Sequence, residues 1–204
     1  MMKNRHCWMI FLFLAFTLFE YSVFAQYSRD AWQQPEKIMD VVEIKPGMVI
    51  GEAGAGRGYF TFYLSERVGS TGKVYANDID KAALRSIERR CERDSITNIT
   101  TILGKEADPL FPAGELDMVI MMRAFHHFSD PVTWMKNVQS SMKSGAPLII
   151  IDQDPDKAGE GWNHFMTKAQ VLASMQKTDF VLDRIETFLE RDNIYIFVQK
   201  DQEN

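Results

Sequence analysis

Short apolar runs with the length of strands alternate along this chain with segments of helical periodicity, and that alternation leaves few folds open. The runs are Met48 to Ile50, Lys73 to Ala76, Thr100 to Leu103, Met118 to Met122, Leu148 to Ile151, Phe180 to Ile185 and Ile194 to Val198. Helical patterns fall between the early ones. Gln34 to Val42 has Pro35 near its start, Tyr59 to Val68 follows a glycine-rich turn, and Asp80 to Asp94 carries Ala83, Leu84, Ile87 and Cys91 at helical spacing. After Phe128, Ser129 or Asp130 can cap a helix and Pro131 suits its first turn. Val132, Met135, Val138 and Met142 give it one apolar face, and Gly145 is expected to end it. Strands joined by crossover helices build a mostly parallel sheet covered on both faces. The last two runs are joined only by Glu186 to Asn193, which suits an antiparallel hairpin at one end of the sheet. The expectation is an α/β fold: a seven-stranded, mostly parallel sheet, helices on both faces and a C-terminal antiparallel hairpin.

The first residues do not belong to that pattern. Lys3 and Arg5 precede an apolar stretch from Cys7 to Phe19, and Val23-Phe24-Ala25 supplies a small-residue ending, the layout of a secretory signal cleaved after Ala25. The stretch is shorter than the ~20 residues that span a bilayer, with an uncleaved anchor over residues 8–25 as the alternative. The expected organisation is a signal over residues 1–25 and a single domain over residues 26–204, exported to the periplasm or beyond the cell. With a net charge of −5 over 204 residues, and one unit lower after loss of Lys3, Arg5 and Glu20, the chain has no basic stripe. Nucleic acid is therefore not an expected partner. Cys7 leaves with the signal, so Cys91 stands alone: no intramolecular disulfide and no cysteine-rich metal site can form, and Cys91 reads as a small core hydrophobe.

The glycines of EAGAGRG, Glu52 to Gly58, lie where the first strand turns into the helix from Tyr59. Ligands of open α/β sheets bind at the carboxyl ends of strands, and glycine there lets a ligand approach the backbone without meeting a Cβ. A phosphate-binding loop requires Lys and then Ser or Thr after its last glycine, but Tyr59 and Phe60 follow Gly58. A dinucleotide turn requires G-x-G-x-x-G, but from Gly54 the glycines fall at Gly56 and Gly58, with Tyr59 at the third place. The spacing argues against NAD.

With E-x-G-x-G-x-G the chain resembles the class I S-adenosylmethionine-dependent methyltransferases, and the resemblance extends in register along the rest of the chain. KVYANDID places Asp78 where that family holds the two ribose hydroxyls. ILGKEADPLFPAGELD is similar to the segment around the adenine, MVIMMRAFHHFSDP to the fourth strand and its loop, and MKSGAPLIII to the turn into the fifth strand. The resemblance implies a Rossmann-like fold, S-adenosyl-L-methionine as cofactor and a small-molecule methyl acceptor. It implies a cofactor-binding set of Glu52, Gly54, Gly56, Gly58, Tyr59, Asp78, Ile79, Glu106 and Ala107. In this set Gly54 and Gly56 give close backbone approach, Glu52 is an ammonium contact or stands one layer behind it, and Asp78 bonds the ribose. Ile79 lies on the adenine face, and Glu106 and Ala107 lie at its edge. Gly104-Lys105-Glu106-Ala107 replaces the common Gly-Asp-Ala, so the adenine amino contact falls to Glu106 or to backbone. Ser144 and Ala146 replace a Pro and a Gly of the common turn.

The acceptor end is less defined. Arg123 either holds an anionic substrate or pairs with a neighbouring acid. His126 and His127 invite a metal or a base reading. Adjacent residues point apart, so one at most is expected to face the site, as a capping group or, for His126, as general base. The predicted catalytic pair is His126 and Arg123, and no metal site is assigned. DQDPD, Asp152 to Asp156, lacks the glycine and the terminal Glu of a calcium loop and is expected to be a solvated rim. Tyr27, Arg29, Trp32 and Gln33 resemble the segment that lids the cofactor in some exported relatives, with plain packing the alternative for Trp32. The rival to methyl transfer is an inactive or non-methyl-transferring adenosyl-cofactor-binding domain of the same fold.

Overall fold

The computed structural model describes residues 29–158 and 164–200. Residues 29–34 belong to a separate unit. They are helical from 29 to 33, with Arg29 Nε donating to Gln33 Oε1 at 2.5 Å. The signal expected at residues 1–25 and Tyr27 of the expected lid lie outside the described residues.

From Pro35 the chain runs through α1 (Pro35–Val41), β1 (Val49–Ala53), α2 (Tyr59–Val68), β2 (Lys73–Asp78), α3 (Lys81–Asp94), β3 (Ile99–Leu103) and β4 (Met118–Met122). A 3-10 turn at Phe125–His127 leads to α4 (Pro131–Gln139), β5 (Leu148–Gln153), α5 (Pro155–Ala158), α6 (Lys168–Met175), β6 (Phe180–Glu186) and β7 (Asp192–Gln199). The strands pair in the order β3-β2-β1-β4-β5-β7-β6, parallel from β3 through β5 and antiparallel at β7 and β6. The expected seven-stranded sheet with a terminal hairpin is what forms.

The two faces of the sheet explain the apolar runs. Every residue of β4 and of β5 is buried, as central parallel strands with both faces covered require. Alternate side chains feed two cores. Val119, Met121, Leu148 and Ile150 pack with Trp134, Met135 and Val138 of α4, whereas Met118, Ile120, Ile149 and Ile151 pack with Ile38 and Met39 of α1 and Phe60 and Leu64 of α2. Cys91 packs at the edge of a third cluster around Leu84 and Ile87 beneath α3, and burial raises its thiol above the usual range, which fits a core hydrophobe.

Two expectations are corrected. The helix after Phe128 is capped by Asp130, which accepts from Thr133 N at 3.0 Å, but it ends at Gln139 and not at Gly145. The chain turns off because Ser141 Oγ bonds the Phe111 carbonyl at 3.0 Å and Met142 bridges to Leu116, so pairing with the incoming β4 segment outcompetes another helical turn. The DQDPD segment is not a solvated rim at its start: Asp152, Gln153 and Asp154 are buried. The hairpin causes this, since β7 lies along β5 with Asp152 opposite Asn193 and Gln153 opposite Asp192.

Candidate active site

The strand order reverses between β1, which leads out toward β2 and β3, and β4, which leads out toward β5. At such a switch point the connections diverge to opposite faces and leave a crevice beyond the carboxyl ends of the strands. A cleft of about 480 Å³ lies there. Its lining comes from the ends of three strands: Gly54 after β1, Asn77, Asp78 and Ile79 at β2, and Arg123 and Ala124 after β4. Lys105 and Glu106 add one wall, and His127, Phe128, Ser129 and Trp134 the other.

The glycines divide into three roles. A Cβ on Gly54, at φ +73°, would stand 2.3 Å from the Cβ of Ala124, so this glycine lets the ends of β1 and β4 close together beside the cleft. A Cβ on Gly56, at φ +56°, would meet nothing within 4 Å, so its left-handed backbone borders open space. Gly58, at φ +90°, caps α2 and packs on Phe62 and Ile87, a structural duty away from the cleft lining. Tyr59, the first residue of α2, is also absent from the lining and stands edge-on to Tyr63 with ring centroids 5.7 Å apart.

Asp78 is held rigidly. Its Oδ2 accepts from Gly56 N at 2.7 Å and its Oδ1 from Asp80 N at 2.8 Å, which locks the carboxylate across the glycine turn and leaves each oxygen further acceptor capacity toward the cleft. Beside it Ile79 keeps an apolar side chain 61% exposed and forms a greasy wall of the cleft. Glu106 lines the same wall. Ala107 does not, and its carbonyl instead accepts from Asn137 Nδ2 of α4 at 2.8 Å. Asn77 was not singled out from sequence. Its Nδ2 donates to the carbonyls of Pro109 at 2.8 Å and Ile102 at 3.2 Å, pinning the Lys105–Glu106 wall to β2. A Cβ on Gly104 would stand 2.4 Å from that same amide, which is why glycine opens the loop.

Glu52 stands behind the cleft. It is buried and accepts from Thr61 Oγ1 of α2 at 2.5 Å. Burial pushes its carboxyl up to about 8, the Thr61 bond opposes the rise and the negative charge of Asp78 adds to it. Of the two roles expected for Glu52, this position is that of a residue one layer behind the cleft.

At the other end Arg123 lines the cleft in a left-handed backbone conformation, φ +55°, which a non-glycine residue holds only at a cost. Its amide donates to Ile151 O at 2.6 Å, its guanidinium hydrogen-bonds Gln153 Oε1, and Nη1 lies 3.4 Å from the buried Asp192. Burial holds the Asp192 carboxyl above its usual range and the Arg123 charge pulls it back. The neighbouring acid allowed for in the sequence is therefore present.

The adjacent histidines do not point apart. Their ring centroids lie 4.0 Å from each other, and His164 joins them at 5.0 Å from His126 and 5.8 Å from His127. The tight 3-10 turn swings both rings to one side. His126 has a side chain only 2% exposed, with Nδ1 at 2.8 Å from Asp152 Oδ1 and 2.9 Å from Oδ2, so His127 and not His126 faces the cleft. Burial, then the neighbouring His126 and His164, lowers the His127 pKa, while Asp152 opposes that fall.

A glycine turn without a phosphate cradle, a fixed acid at the end of β2 and an open apolar wall beside it fit a neutral adenosyl group. Residues 50–145 match the methyltransferase domain family. In that stretch lie both strand ends that form the crevice and every lining residue of the cleft. Among solved structures the chain is similar to a SAM-dependent methyltransferase from Aquifex aeolicus, with a TM-score of 0.79 and 23% identity over 84% of this chain and 93% of that one. The fold is therefore that of the S-adenosylmethionine-dependent methyltransferases. It is also similar to the [4+2]-cyclase SpnF, with a TM-score of 0.72 and 10% identity over 84% of this chain and 82% of that one. Among curated proteins it is similar to nocamycin O-methyltransferase of Saccharothrix syringae, 33% identical over 46% of this chain and 34% of that protein. It is 27% identical to demethylmenaquinone methyltransferase of Lactococcus lactis over 60% of this chain and 48% of that protein. The chain thus spans between a third and a half of the length of these curated relatives.

Proposed function

We propose that this chain binds S-adenosyl-L-methionine in the cleft and is a methyltransferase for a small-molecule acceptor, acting outside the cytoplasmic membrane. The observation that carries the reading is the Asp78 carboxylate, tied to the Gly56 and Asp80 amides and set against the exposed Ile79. Such an acceptor pair suits a ribose diol, and its charge repels a phosphate. Gly54 and Gly56 would give the cofactor backbone approach, Asp78 its ribose contacts, Ile79 and Glu106 the adenine wall, and Glu52 support from behind. The cofactor supplies an electrophilic methyl group on a sulfonium.

What the chain must add is alignment of the acceptor with that methyl, and removal of a proton where the acceptor atom carries one. Arg123, His127, Phe128 and Trp134 surround the end of the cleft that would hold the acceptor. Arg123 offers a charge there, anchored by Gln153 and Asp192. His126, locked by Asp152, packs directly behind His127. An aromatic and cationic lining favours a flat or anionic small molecule.

The test is calorimetry with S-adenosylhomocysteine and NAD side by side, then a methyl-release assay over hydroxyl, carboxyl and amine acceptors. Binding of the first and not the second, with turnover on one acceptor class, is the expected outcome. Tight NAD binding would sink the reading. The similarity to a [4+2]-cyclase supports a second reading, an adenosyl-binding fold without methyl transfer; cofactor binding with no turnover on any acceptor class favours it.

A further inference from the structure

Three of the four histidines in the chain meet beside the cleft. His126 and His127 come from the turn after β4, and His164 comes from the segment before α6. One ring nitrogen from each lies within 4.8 Å of the other two. The chain gains nothing obvious by crowding three imidazoles, which repel one another as soon as they are protonated. A shared cation reverses that cost.

We propose that His126, His127 and His164 form a binding site for a divalent transition-metal ion of the zinc class, with one coordination position open toward the cleft. The supporting observation is how His126 is held. Asp152 is buried and takes Nδ1 of His126 while also accepting from the His126 amide at 3.0 Å and the Gln153 amide at 2.9 Å. A carboxylate so loaded with donors is held in one orientation. It fixes the proton on Nδ1 and leaves the Nε2 lone pair of His126 directed away from it, the arrangement that orients metal-binding histidines generally. Phe165 braces the cluster, with its ring centroid 4.5 Å from that of His126 and 4.0 Å from that of His164. Nitrogens bound to one zinc at about 2.0–2.1 Å lie roughly 3.4 Å apart, so closure draws the three together from within 4.8 Å by rotation of the two exposed rings, His127 and His164.

Three neutral imidazoles are the donor set of zinc, copper, nickel and iron, whereas magnesium and calcium want oxygen. Three protein ligands also leave a fourth tetrahedral position for water or substrate. His127 lines the cleft, so that position lies on the acceptor side. An acceptor oxygen bound there would lose its proton more readily, which would make the acceptor a hydroxyl compound. This last assignment rests on the methyltransferase reading; the metal site does not.

The test is titration of the metal-free full chain with Co(II), read by visible absorption and equilibrium dialysis, with S-adenosylhomocysteine calorimetry on the same samples. One Co(II) per chain with a ligand-field band is expected, undisplaced by excess magnesium. His164→Gln and His127→Gln should each bind Co(II) about tenfold or more weakly, and Asp152→Asn about 10–100-fold more weakly. His164 is exposed, so its variant keeps the test valid should Asp152→Asn fail to fold. No visible band, or His164→Gln and His127→Gln binding Co(II) as the wild type does, would overturn the site. Failure with Co(II) but retained S-adenosylhomocysteine binding removes the metal alone. Co(II) binding without S-adenosylhomocysteine binding removes the methyltransferase reading and leaves the metal.

Discussion

Glu52 occupies a position where a carboxylate is costly: it lies in the buried strand β1, bonded to Thr61, near the charge of Asp78. Its folded pKa of about 8 exceeds the ordinary value of 4.5, so the folded protein keeps a proton there that the unfolded chain has already lost. Stability from this group is present below about pH 4.5 and declines as pH rises to about 8, by at most roughly 1.4 kcal/mol per pH unit. Glu52→Gln should remove that slope and raise the denaturation midpoint at pH 8 more than at pH 5; parallel pH profiles for the two proteins would refute it. At Gly54 the constraint is steric. Gly54→Ala places a methyl 2.3 Å from the Ala124 Cβ at a positive φ, and should cost about 1–3 kcal/mol in urea denaturation and weaken cofactor binding as β1 and β4 part. Asp78→Ala should instead leave the fold standing but lose roughly 1.5–3 kcal/mol of S-adenosylhomocysteine binding, since it removes a charged acceptor. An unchanged calorimetric affinity would take Asp78 out of the site.

Between elements, Arg123 ties the end of β4 to β5 and β7 through Gln153 and Asp192. Arg123→Met should raise the acceptor KM or lower kcat and leave S-adenosylhomocysteine affinity unchanged if the guanidinium serves the acceptor. A loss of stability with unaltered kinetics would mark it as an ion pair only, because Asp192 would be left buried without its cation. The same elements show what a sequence can and cannot disclose. β4 and β5 were legible because both faces are covered and their runs are wholly apolar. Asp78, Ile79 and Gly54 were legible because a strand end, an acid and a glycine turn are local signals. The buried Asp152 to Asp154 were not, because what covers Asp152 and Gln153 is β7, far along the chain, and buried acids resemble solvated ones in a sequence. Nor was the meeting of His164 with His126 and His127, which depends on tertiary packing alone. The helix α6 does carry a local signal, a capping box in which Thr167 and Gln170 satisfy each other's backbone.

At the scale of the whole molecule, the domain and its first residues pull in different directions. The cleft calls for a cofactor made in the cytoplasm, whereas residues 1–25 read as an export signal with a basic start at Lys3 and Arg5, an apolar run and a small residue at Ala25. Among the described residues no helix is long and apolar enough to cross a membrane. Lys3 and Arg5 favour an inside N-terminus for a cleaved signal and for an uncleaved anchor alike, and both put the domain outside. Cleavage after Ala25 would leave a polar start, Gln26-Tyr27-Ser28-Arg29-Asp30, on the mature chain. Cell fractionation with N-terminal sequencing should find a protein beginning near Gln26 outside the cytoplasmic membrane. An intact Met1 in the membrane fraction would support the anchored form. An intact Met1 in the soluble cytoplasm would overturn export in both forms, and would place the cleft beside its cofactor supply.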